Sequence, residues 1–450
     1  MIIYRFPQKI IRSSNILKYS MMATMKKERN DKTTSVCIIG LGYMGLPTAL
    51  LLAKNGVKVL GYDINKKKIG MIKNGKMPFN EKGLAELYKA AKNNFSVTTT
   101  ITKNTSKDIK TYIISVPTPF SEMKKCDLSY VIDATNSVKQ ILKRGDLVIL
   151  ESTVGPGTTS EIIKPLLEKS GLKCGTDFFL SYVSEKAIPG NTLYEMVNNA
   201  RIIGGIDKES TDRTMRLYSK FVKGEIILTD TTTSEITKLV ENTYRDVNIA
   251  FANELAKICD RLNINVWDVI TYANKHPRVN IHLPGPGVGG HCIAIDPWFL
   301  VGKGSSDLIW TARTINDAMP QEIFTRLRNI ILSKQLTNPK IAVLGVAYKK
   351  NVDDGRETPA LPFIEMCMAN DWKVEIHDPY VKDFHYPINR DIVAVLKDSD
   401  IVVITTDHDY YKDIDFSSKI VLDTKNMKLK AKEYYLLGYN SLNPKQASGK

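Results

Sequence analysis

A glycine-rich turn between an apolar strand and an apolar helix constrains the fold of this chain more than any other feature. The continuous apolar run Val36–Ile39 is typical of a buried parallel strand, and an apolar helix extends to Leu52 beyond the turn. Between them lie Gly40, Gly42 and Gly45 in the order Gly-x-Gly-x-x-Gly. Glycines at these positions let backbone amides at the start of a helix approach a pyrophosphate, so the pattern predicts a dinucleotide-binding turn.

An acidic residue at the end of the following strand indicates which dinucleotide the turn would bind. We predict a second strand over Val57–Tyr62, and Asp63 follows Gly45 by 18 residues. A carboxylate at this position accepts hydrogen bonds from the adenosine ribose and repels a 2′-phosphate, so NAD⁺ is expected rather than NADP⁺. A glycine turn of an unrelated α/β unit is the alternative interpretation.

Alternating strands and helices occur on both sides of a long predicted helix. Short apolar runs at Tyr112–Val116 and Leu147–Leu150, each followed by a turn signal, continue the first series. Apolar residues at helical spacing over Glu235–Leu262, with no proline or glycine, predict a helix of about seven turns. The alternation resumes near Pro339, with predicted strands Ile341–Gly345, Val374–His377 and Ile401–Thr405 and a predicted helix Ala360–Met368.

The fold class that this order predicts is α/β, with two Rossmann-like doubly wound domains joined by a central helical segment. A chain of 450 residues is too long for one ordinary core, so several domains are expected. We predict a dinucleotide-binding domain at 34–230, a central helical domain at 231–330 and a second Rossmann-like domain at 331–450. A basic extension at 1–33 precedes them.

The formal charge of +15 is distributed unevenly along the chain. Residues 1–33 carry eight basic and two acidic residues, and the remaining +9 is spread over 417 residues without a basic cluster interleaved with aromatics. We therefore expect no nucleic-acid partner, whereas a diffuse positive field suits an anionic nucleotide. The extension is interpreted as a disordered tail or an over-extended start codon, with a transit peptide as the alternative.

The apolar and cysteine content indicates the cellular location expected for such a chain. No apolar run reaches the roughly 18 residues of a membrane-spanning helix, so no membrane segment is expected. The six cysteines form no CxxC pair and no metal-ligand spacing, which makes a disulfide framework or a metal site unexpected. A reduced, cytoplasmic enzyme is the expectation.

Polar residues follow two of the predicted strands of the first series. Val116–Pro119 includes Thr118, and Glu151–Thr153 ends in a serine and a threonine. Ligands bind at the carboxyl ends of the strands in open parallel sheets, so Thr118 and Thr153 are expected to contact cofactor or substrate. Either segment taken singly would be interpreted as a loop with capping hydroxyls.

One face of the long helix carries an ammonium, an amide and a guanidinium. Lys238, Asn242 and Arg245 are spaced i, i+4 and i+7, which places them on the same side of a helix. The spacing alone is equally consistent with ordinary surface ion pairs between these residues and the nearby acids Glu235, Glu241 and Asp246.

A loop rich in glycine and proline contains the strongest candidate for covalent chemistry. Pro284–Gly290 leads into His291 and Cys292, and Asp296 follows four residues later. An isolated cysteine is more often an inert small hydrophobe. Here the loop can bring backbone amides up to a ligand, and the expected cofactor removes hydride. Cys292 is therefore a candidate nucleophile whose thiolate would capture an aldehyde and hold the acyl group after a second hydride leaves.

With this loop, the chain resembles the UDP-glucose/GDP-mannose dehydrogenase family from Ser35 to about Asn426. The matching stretches are Gly40–Gly45, Val116–Pro119, Glu151–Thr159, Asn199–Gly205, Lys238–Glu254, His276–Phe299, Tyr348–Pro359 and His377–Tyr380. The resemblance implies NAD-dependent oxidation of the C6 hydroxymethyl group of a UDP-linked amino sugar to a carboxylate, with two NAD⁺ consumed. It also implies a homodimer, or a dimer-based homo-oligomer, formed through the central helical segment.

The resemblance implies a role for each of the following residues. The expected catalytic residues are Cys292 as nucleophile, Lys238 and Asn242 for the oxyanion, Asp296 and Thr153 with a water for proton transfer, and Glu185 in the same chemistry. The expected cofactor-binding residues are Gly40, Gly42, Tyr43, Met44, Gly45, Asp63, Lys68, Thr118 and Thr153. The expected substrate-binding residues are Lys186, Ala187, Lys238, Asn242, Arg245, His276, Arg278, Gly289, Lys349 and Arg356, with Arg278 reaching across a dimer and Lys349 and Arg356 on the UDP side.

Within the family, the stretch His276–Phe299 favours UDP-N-acetyl-D-mannosamine as the substrate. UDP-N-acetylglucosamine or UDP-glucose is the rival substrate, and a non-catalytic sugar-nucleotide-binding protein is the rival from another class. Retention of Cys292 together with its three polar partners argues against the binding protein. One departure stands out, because the family usually has Pro-Glu-Arg where this chain has Ser184-Glu185-Lys186. An ammonium does not reproduce the bidentate contact of a guanidinium.

Overall fold

The computed structural model describes residues 35–119, 126–188, 190–290, 292–301 and 306–439. The basic extension at 1–33 lies outside the described residues, as does His291 of the cysteine loop. The chain divides into two units. The N-terminal unit comprises Met1–Thr118, Leu128–Thr153 and Gly157–Glu235, and the C-terminal unit comprises Pro119–Asp127, Val154–Pro156 and Ile236–Lys450.

An eight-stranded sheet forms the centre of the N-terminal unit. Its strands are β1 (Ser35–Ile39), β2 (Lys58–Tyr62), β3 (Phe95–Thr98), β4 (Thr111–Ile114), β5 (Leu147–Leu150), β6 (Phe179–Val183), β7 (Arg201–Gly205) and β8 (Ile226–Asp230). Their order is β3-β2-β1-β4-β5-β6-β7-β8. The first six strands are parallel, whereas β7 pairs antiparallel with β6 and β8 runs parallel to β7. The order therefore reverses between β1 and β4, and the loops after these two strands face the usual ligand crevice.

Helices cover this sheet and bury its apolar side chains. They are α1 (Gly45–Lys54), α2 (Lys66–Lys73), α3 (Leu84–Ala91), α4 (Ser129–Lys139), α5 (Lys164–Glu168), α6 (Thr192–Asn198) and α7 (Lys208–Tyr218), with a 3-10 turn at Lys92–Asn94 and a π-helical turn at Thr159–Ile163. Val36 and Ile38 of β1 pack with Leu46 and Leu50 of α1 in one buried cluster. This packing fixes the turn between β1 and α1, because both of its ends are anchored in the core.

The long helix α8 (Thr231–Leu262) begins four residues before the predicted start. Asp230 explains the difference, because its carboxylate accepts a hydrogen bond from the Thr233 backbone amide at 2.8 Å and so caps the first turn. Glu235, the predicted first residue, lies inside the helix. Its carboxylate accepts hydrogen bonds from the backbone amides of Gly157 (2.6 Å) and Thr159 (2.8 Å).

The C-terminal unit continues with helices and then a second sheet. The further helices are α9 (Val266–Ala273), α10 (Asp296–Val301), α11 (Asp307–Ser333), α12 (Ala360–Ala369) and α13 (Ile392–Lys397), with a 3-10 turn at Asp409–Asp413. Helix α11, which contains Pro320, has no counterpart in the sequence-based prediction. Arg313 of α11 forms a buried ion pair with Asp246 of α8 at 2.6 Å, which ties the two long helices together.

The second sheet is entirely parallel and has five strands. They are β9 (Lys340–Leu344), β10 (Lys373–His377), β11 (Ile401–Ile404), β12 (Phe416–Asp423) and β13 (Ala431–Leu436). The order β10-β9-β11-β12-β13 reverses between β9 and β11. The prediction of an α/β fold with two Rossmann-like sheets and a helical segment between them is confirmed.

Candidate active site

The glycine turn between β1 and α1 has the geometry of a pyrophosphate cradle. Gly40 adopts φ +93° and its amide donates to the Tyr62 carbonyl at 2.8 Å. A Cβ atom at Gly40 would overlap the Ser115 carbonyl oxygen, and one at Gly45 would overlap the Gly40 carbonyl oxygen. Only glycine allows this close approach, so the turn leaves room for a dinucleotide against the start of α1.

Asp63 connects the glycine turn to the start of α2. Its carboxylate accepts hydrogen bonds from the backbone amides of Leu41 and Asn65, each at 2.9 Å. The Lys68 ammonium lies 2.6 Å from the same carboxylate, and the Lys68 side chain is 26% exposed. Two of the expected cofactor residues are therefore paired. Because Lys68 is partly exposed, it can move away from the Asp63 carboxylate when a ligand binds there.

Tyr43 and Met44 take different positions in the same turn. The ring of Tyr43 is exposed and stacks on Phe79 with 4.2 Å between ring centroids. Met44 precedes α1 and packs against the buried cluster of the N-terminal unit. Phe79 was not predicted to belong to the site, because only its contact with the turn identifies it.

Ser152 joins the two polar segments that follow β4 and β5. Its hydroxyl accepts a hydrogen bond from the Val116 amide at 2.9 Å and donates one to the Val116 carbonyl at 2.8 Å. These two bonds take the place of strand pairing at Val116, so β4 ends at Ile114 and not at the predicted Val116. Thr118 and Thr153, the expected contact residues, are partly buried at the ends of these segments.

Glu185 belongs to a buried charged cluster that the sequence did not reveal. One of its carboxylate oxygens accepts hydrogen bonds from the amides of Lys186 (2.7 Å) and Ala187 (2.8 Å), and the other pairs with the guanidinium of Arg201. Lys186 and Ala187, two expected substrate residues, are thus held in a turn by the Glu185 side chain.

In the C-terminal unit, Lys238 and Asn242 converge on one carboxylate oxygen. Oδ2 of Asp296 lies 3.1 Å from Nζ of Lys238 and 2.6 Å from Nδ2 of Asn242. Lys238 and Asp296 are buried, whereas Arg245 on the next turn is exposed. The two acids Glu235 and Asp246 have other buried partners, so they do not pair with this helix face.

Cys292 lies immediately before α10, whose first residue is Asp296. Its carbonyl oxygen accepts hydrogen bonds from the amides of Ile295 (3.1 Å) and Asp296 (2.8 Å), while its side chain is exposed. Gly290, at φ +83°, packs so closely on Tyr348 that any side chain there would overlap the tyrosine ring. The cysteine loop is therefore fixed both by α10 and by the segment after β9.

The electrostatic surroundings oppose ionisation of the Cys292 thiol. Desolvation by the surrounding protein raises its pKa although the side chain keeps contact with solvent, and the Asp296 charge raises it further, whereas Lys238, Arg245 and Arg356 act in the opposite direction. Burial also raises the pKa of Asp296, against the Lys238 ammonium and the Asn242 amide. Burial is the largest influence on the pKa of Lys238 and lowers it, but the charges of Asp296 and Cys292 and the hydrogen bond to Asp296 together outweigh it, so the net shift is upward. These surroundings therefore favour the protonated form of the thiol.

Of the remaining expected substrate residues, Gly289 is half-buried and the other four are exposed on loops of the C-terminal unit. His276 and Arg278 lie together, with the Arg278 amide donating to Nδ1 of His276 at 3.3 Å. Lys349 is exposed, and Arg356 forms a bidentate pair with Asp354 at 2.8 and 2.7 Å. Among the described residues, no group of three or more His, Cys, Asp or Glu side chains is arranged to hold a metal ion. No helix in the described part of the chain is long and apolar enough to cross a membrane.

The chain matches known proteins over most of its length. Three domain models of the UDP-glucose/GDP-mannose dehydrogenase family match in succession: the NAD binding domain at 34–222, the central domain at 232–318 and the UDP binding domain at 342–429. The chain is 44% identical over 416 residues to the UDP-N-acetyl-D-mannosamine dehydrogenase of Methanococcus aeolicus, covering 89% of this chain and 93% of that protein. It is 40% identical over 410 residues to the NDP-N-acetyl-D-galactosaminuronic acid dehydrogenase of Ralstonia nicotianae, covering 87% and 96%. The structure of the UDP-N-acetyl-mannosamine dehydrogenase of Staphylococcus aureus superposes with a TM-score of 0.82 at 42% identity, covering 90% and 99%.

Proposed function

The chain is an NAD-dependent UDP-sugar dehydrogenase of the UDP-glucose/GDP-mannose dehydrogenase family, and we propose that it oxidises UDP-N-acetyl-D-mannosamine at C6 to the uronate. One observation supports the chemistry: Lys238 and Asn242 share the carboxylate of Asp296, four residues after Cys292. An ammonium, an amide and a carboxylate beside a thiol are what covalent aldehyde oxidation requires. The names of the Methanococcus and Staphylococcus relatives support the choice of sugar.

The residues around the glycine turn fit NAD⁺. The turn allows the pyrophosphate to approach, and Asp63 offers a carboxylate to the ribose once Lys68 moves aside. The residues that would hold the cofactor are Gly40, Gly42, Tyr43, Met44, Gly45, Asp63, Lys68, Thr118 and Thr153. NAD⁺ supplies the hydride acceptor, and two molecules are needed for each sugar.

The first oxidation converts the C6 alcohol into an aldehyde, with loss of one hydride and one proton. As its proton passes through the water to Asp296, the Cys292 sulfur adds to the aldehyde carbon, and the aldehyde oxygen becomes an alkoxide that Lys238 and Asn242 stabilise. Loss of the second hydride leaves a thioester on Cys292. Asp296 and Thr153 position a water that attacks the thioester, which releases the carboxylate and returns the thiol. Glu185 takes part in the same proton transfers.

The UDP-sugar itself would be bound largely by exposed basic residues of the C-terminal unit. Arg356 must leave Asp354 to contact the substrate, and Lys349 lies on the same segment. His276, Arg278, Arg245 and Gly289 complete the expected set, together with Lys186 and Ala187. An exposed apolar stripe on α8, formed by Ile236, Val240, Tyr244 and Phe251, supports a homodimer in which Arg278 reaches the partner's substrate. The free cysteines support a reducing, cytoplasmic location.

The substrate assignment is tested by measuring NADH formation from a panel of nucleotide sugars. The panel contains UDP-N-acetylmannosamine, UDP-N-acetylglucosamine, UDP-N-acetylgalactosamine and UDP-glucose, each with NAD⁺. The Ralstonia relative makes the galactosamine sugar the second candidate. UDP-N-acetylmannosamine should have the highest kcat/KM, and faster turnover of any other member would overturn the assignment.

A further inference from the structure

Two hydrogen-bonded sets of buried side chains, five residues in all, meet behind the Glu185 turn of the N-terminal unit, where the Arg201 guanidinium contacts the Tyr218 ring. Arg201, at the start of β7, pairs with Glu185 and also donates to the carbonyls of Ser184 (3.2 Å) and Met196 (3.1 Å). The Tyr218 hydroxyl donates to Oε1 of Glu151 at 2.9 Å. The Thr48 hydroxyl lies 3.4 Å from the other oxygen of Glu151. The cluster members are Thr48, Glu151, Glu185, Arg201 and Tyr218, and each is at most 8% exposed.

The charges in this cluster do not balance when both carboxyl groups are ionised. Two carboxylates would then face the single guanidinium of Arg201 in a site closed to water, which is strongly unfavourable. Glu185 is the better candidate for the negative charge, because its oxygens accept from Arg201 and from two backbone amides. Glu151 accepts only from neutral hydroxyls among the described bonds. The proton therefore belongs on Glu151.

The groups facing Glu151 support this assignment. Burial, followed by the Glu185 charge, raises the pKa of Glu151 to about 7. Arg201 and the hydroxyls of Tyr218 and Ser115 oppose the shift. The ring of Tyr218 also packs 5.9 Å from the Arg201 guanidinium, so the tyrosine touches both charged partners. Glu151 would thus gain or lose its proton near neutral pH while the rest of the cluster keeps its charge.

We propose that Arg201 is a positioning residue for Glu185 and that protonation of Glu151 keeps the Arg201 guanidinium paired with Glu185. While Glu151 is neutral, the guanidinium serves Glu185 alone, and Glu185 holds the amides of Lys186 and Ala187. When Glu151 ionises, Arg201 is shared between two carboxylates and the turn loosens. The expected effect on catalysis rests on the proposed function, in which Glu185 and its turn take part. The expected loosening of the turn does not depend on that function.

Amide hydrogen exchange of Lys186 and Ala187 tests the proposal without any substrate, because both amides donate to Glu185. In the wild type, protection of these amides, corrected for the intrinsic pH dependence of exchange, should fall as the pH rises through neutral. Glu151→Gln should keep the turn protected across that range. Tyr218→Phe removes a hydrogen bond that lowers the pKa of Glu151, so the loss of protection should move to a higher pH. Tyr112→Phe is the matched control, since its hydroxyl is equally buried but lies outside the cluster.

Arg201 variants provide the second arm of the test. Arg201→Gln should speed exchange at Lys186 and Ala187 by on the order of tenfold and lower kcat/KM by a similar factor, while the Kd for NAD⁺ changes little. Arg201→Lys should recover part of both losses. If Arg201→Gln does not fold, the Glu151 and Tyr218 variants still decide the outcome.

The proposal is overturned if Glu151→Gln shows the same pH-dependent loss of protection as the wild type, or if folded Arg201→Gln leaves the turn protected. A wild-type enzyme that oxidises none of the UDP-sugars would instead refute the proposed function. The exchange result would still stand in that case, so the two failures are distinguishable.

Discussion

The two sheets place an aspartate at the same point, directly after the second strand of each, and use it differently. Asp63 accepts hydrogen bonds from two backbone amides and from the partly exposed ammonium of Lys68. Asp378 is fully buried, and its carboxylate accepts from the amides of Val346, Ala347, Tyr380 and Val381 and from Nε2 of His408. The second aspartate is saturated by the protein, so it fixes loops and cannot recognise a ribose. An aspartate at this position can therefore contact a ribose only where it keeps an exchangeable partner.

This contrast extends to the two units as wholes. The N-terminal unit holds the glycine turn and Asp63, which we propose as the cofactor site, and a closed charged cluster beside the Glu185 turn. The C-terminal unit holds an exposed thiol beside Lys238, Asn242 and Asp296, which suit covalent chemistry. Changes at the glycine turn or Asp63 should therefore alter cofactor choice, and changes at the cluster around Cys292 should alter the chemical steps.

The largest effect should come from removing the Lys238 ammonium. Lys238→Met leaves the Asp296 carboxylate without its cation and the oxyanion without a donor, so kcat should fall roughly 100-fold or more. The Kd for NAD⁺, measured by titration calorimetry, should stay within experimental error of the wild type. Lys257→Met, on the same helix, is the control and should keep its activity. A variant with unchanged kcat would remove Lys238 from the chemistry.

The pH dependence of thiol alkylation should show that Cys292 is protonated in the free enzyme. Burial and Asp296 hold its pKa above the ordinary value of 9.0, so the thiolate fraction rises about tenfold per pH unit below that pKa. The iodoacetamide rate at the Cys292 peptide, followed by mass spectrometry, should climb steadily past neutral pH. Cys292→Ser provides the background from the other thiols. A rate that levels off near neutral pH would indicate a lowered pKa and contradict the electrostatic description.

The comparison of the two aspartates predicts a difference in cofactor choice. Wild type should prefer NAD⁺ over NADP⁺ by about tenfold or more in kcat/KM, because Asp63 would repel a 2′-phosphate. Asp63→Asn should reduce that ratio toward one. The matched variant Asp378→Asn should leave the ratio unchanged and lower the Tm instead, because it weakens buried hydrogen bonds. Equal use of both cofactors by the wild type would refute the role of Asp63.

The smallest expected effect concerns the departure at Ser184-Glu185-Lys186. Lys186→Arg restores a planar, bidentate donor, so KM for the UDP-sugar should fall a few-fold while kcat changes little. Initial-rate kinetics with saturating NAD⁺ measure both parameters. An unchanged KM would show that the departure is neutral for substrate binding.

Local patterns predicted most of the fold and the covalent cluster. The glycine turn, Asp63 and the i, i+4 spacing of Lys238 and Asn242 are properties of short segments. The structure places the turn between β1 and α1, Asp63 after β2, and Lys238 and Asn242 on one face of α8. The start of α8 was misplaced because Asp230, a capping residue, precedes the apolar pattern. The helix α11 escaped prediction because Pro320 normally interrupts a helix, whereas here packing on α8 maintains it.

The charged cluster around Glu185 could not be predicted in the same way. Tyr218 and Glu151 are separated by 67 residues and Thr48 and Glu151 by 103, so only the fold brings them together. The reversal of β7 against β6 has the same origin, because the local sequence of a strand does not specify its direction.

The most direct test of the covalent account is the number of NADH molecules formed per sugar consumed. Wild type with UDP-N-acetylmannosamine should give two, because Cys292 retains the aldehyde between the two oxidations. Cys292→Ser should accumulate a slowly cleared uronyl ester, visible as an adduct in the intact-protein mass spectrum. Full turnover at two NADH per sugar by Cys292→Ala would contradict the covalent mechanism and leave Cys292 as an ordinary loop residue.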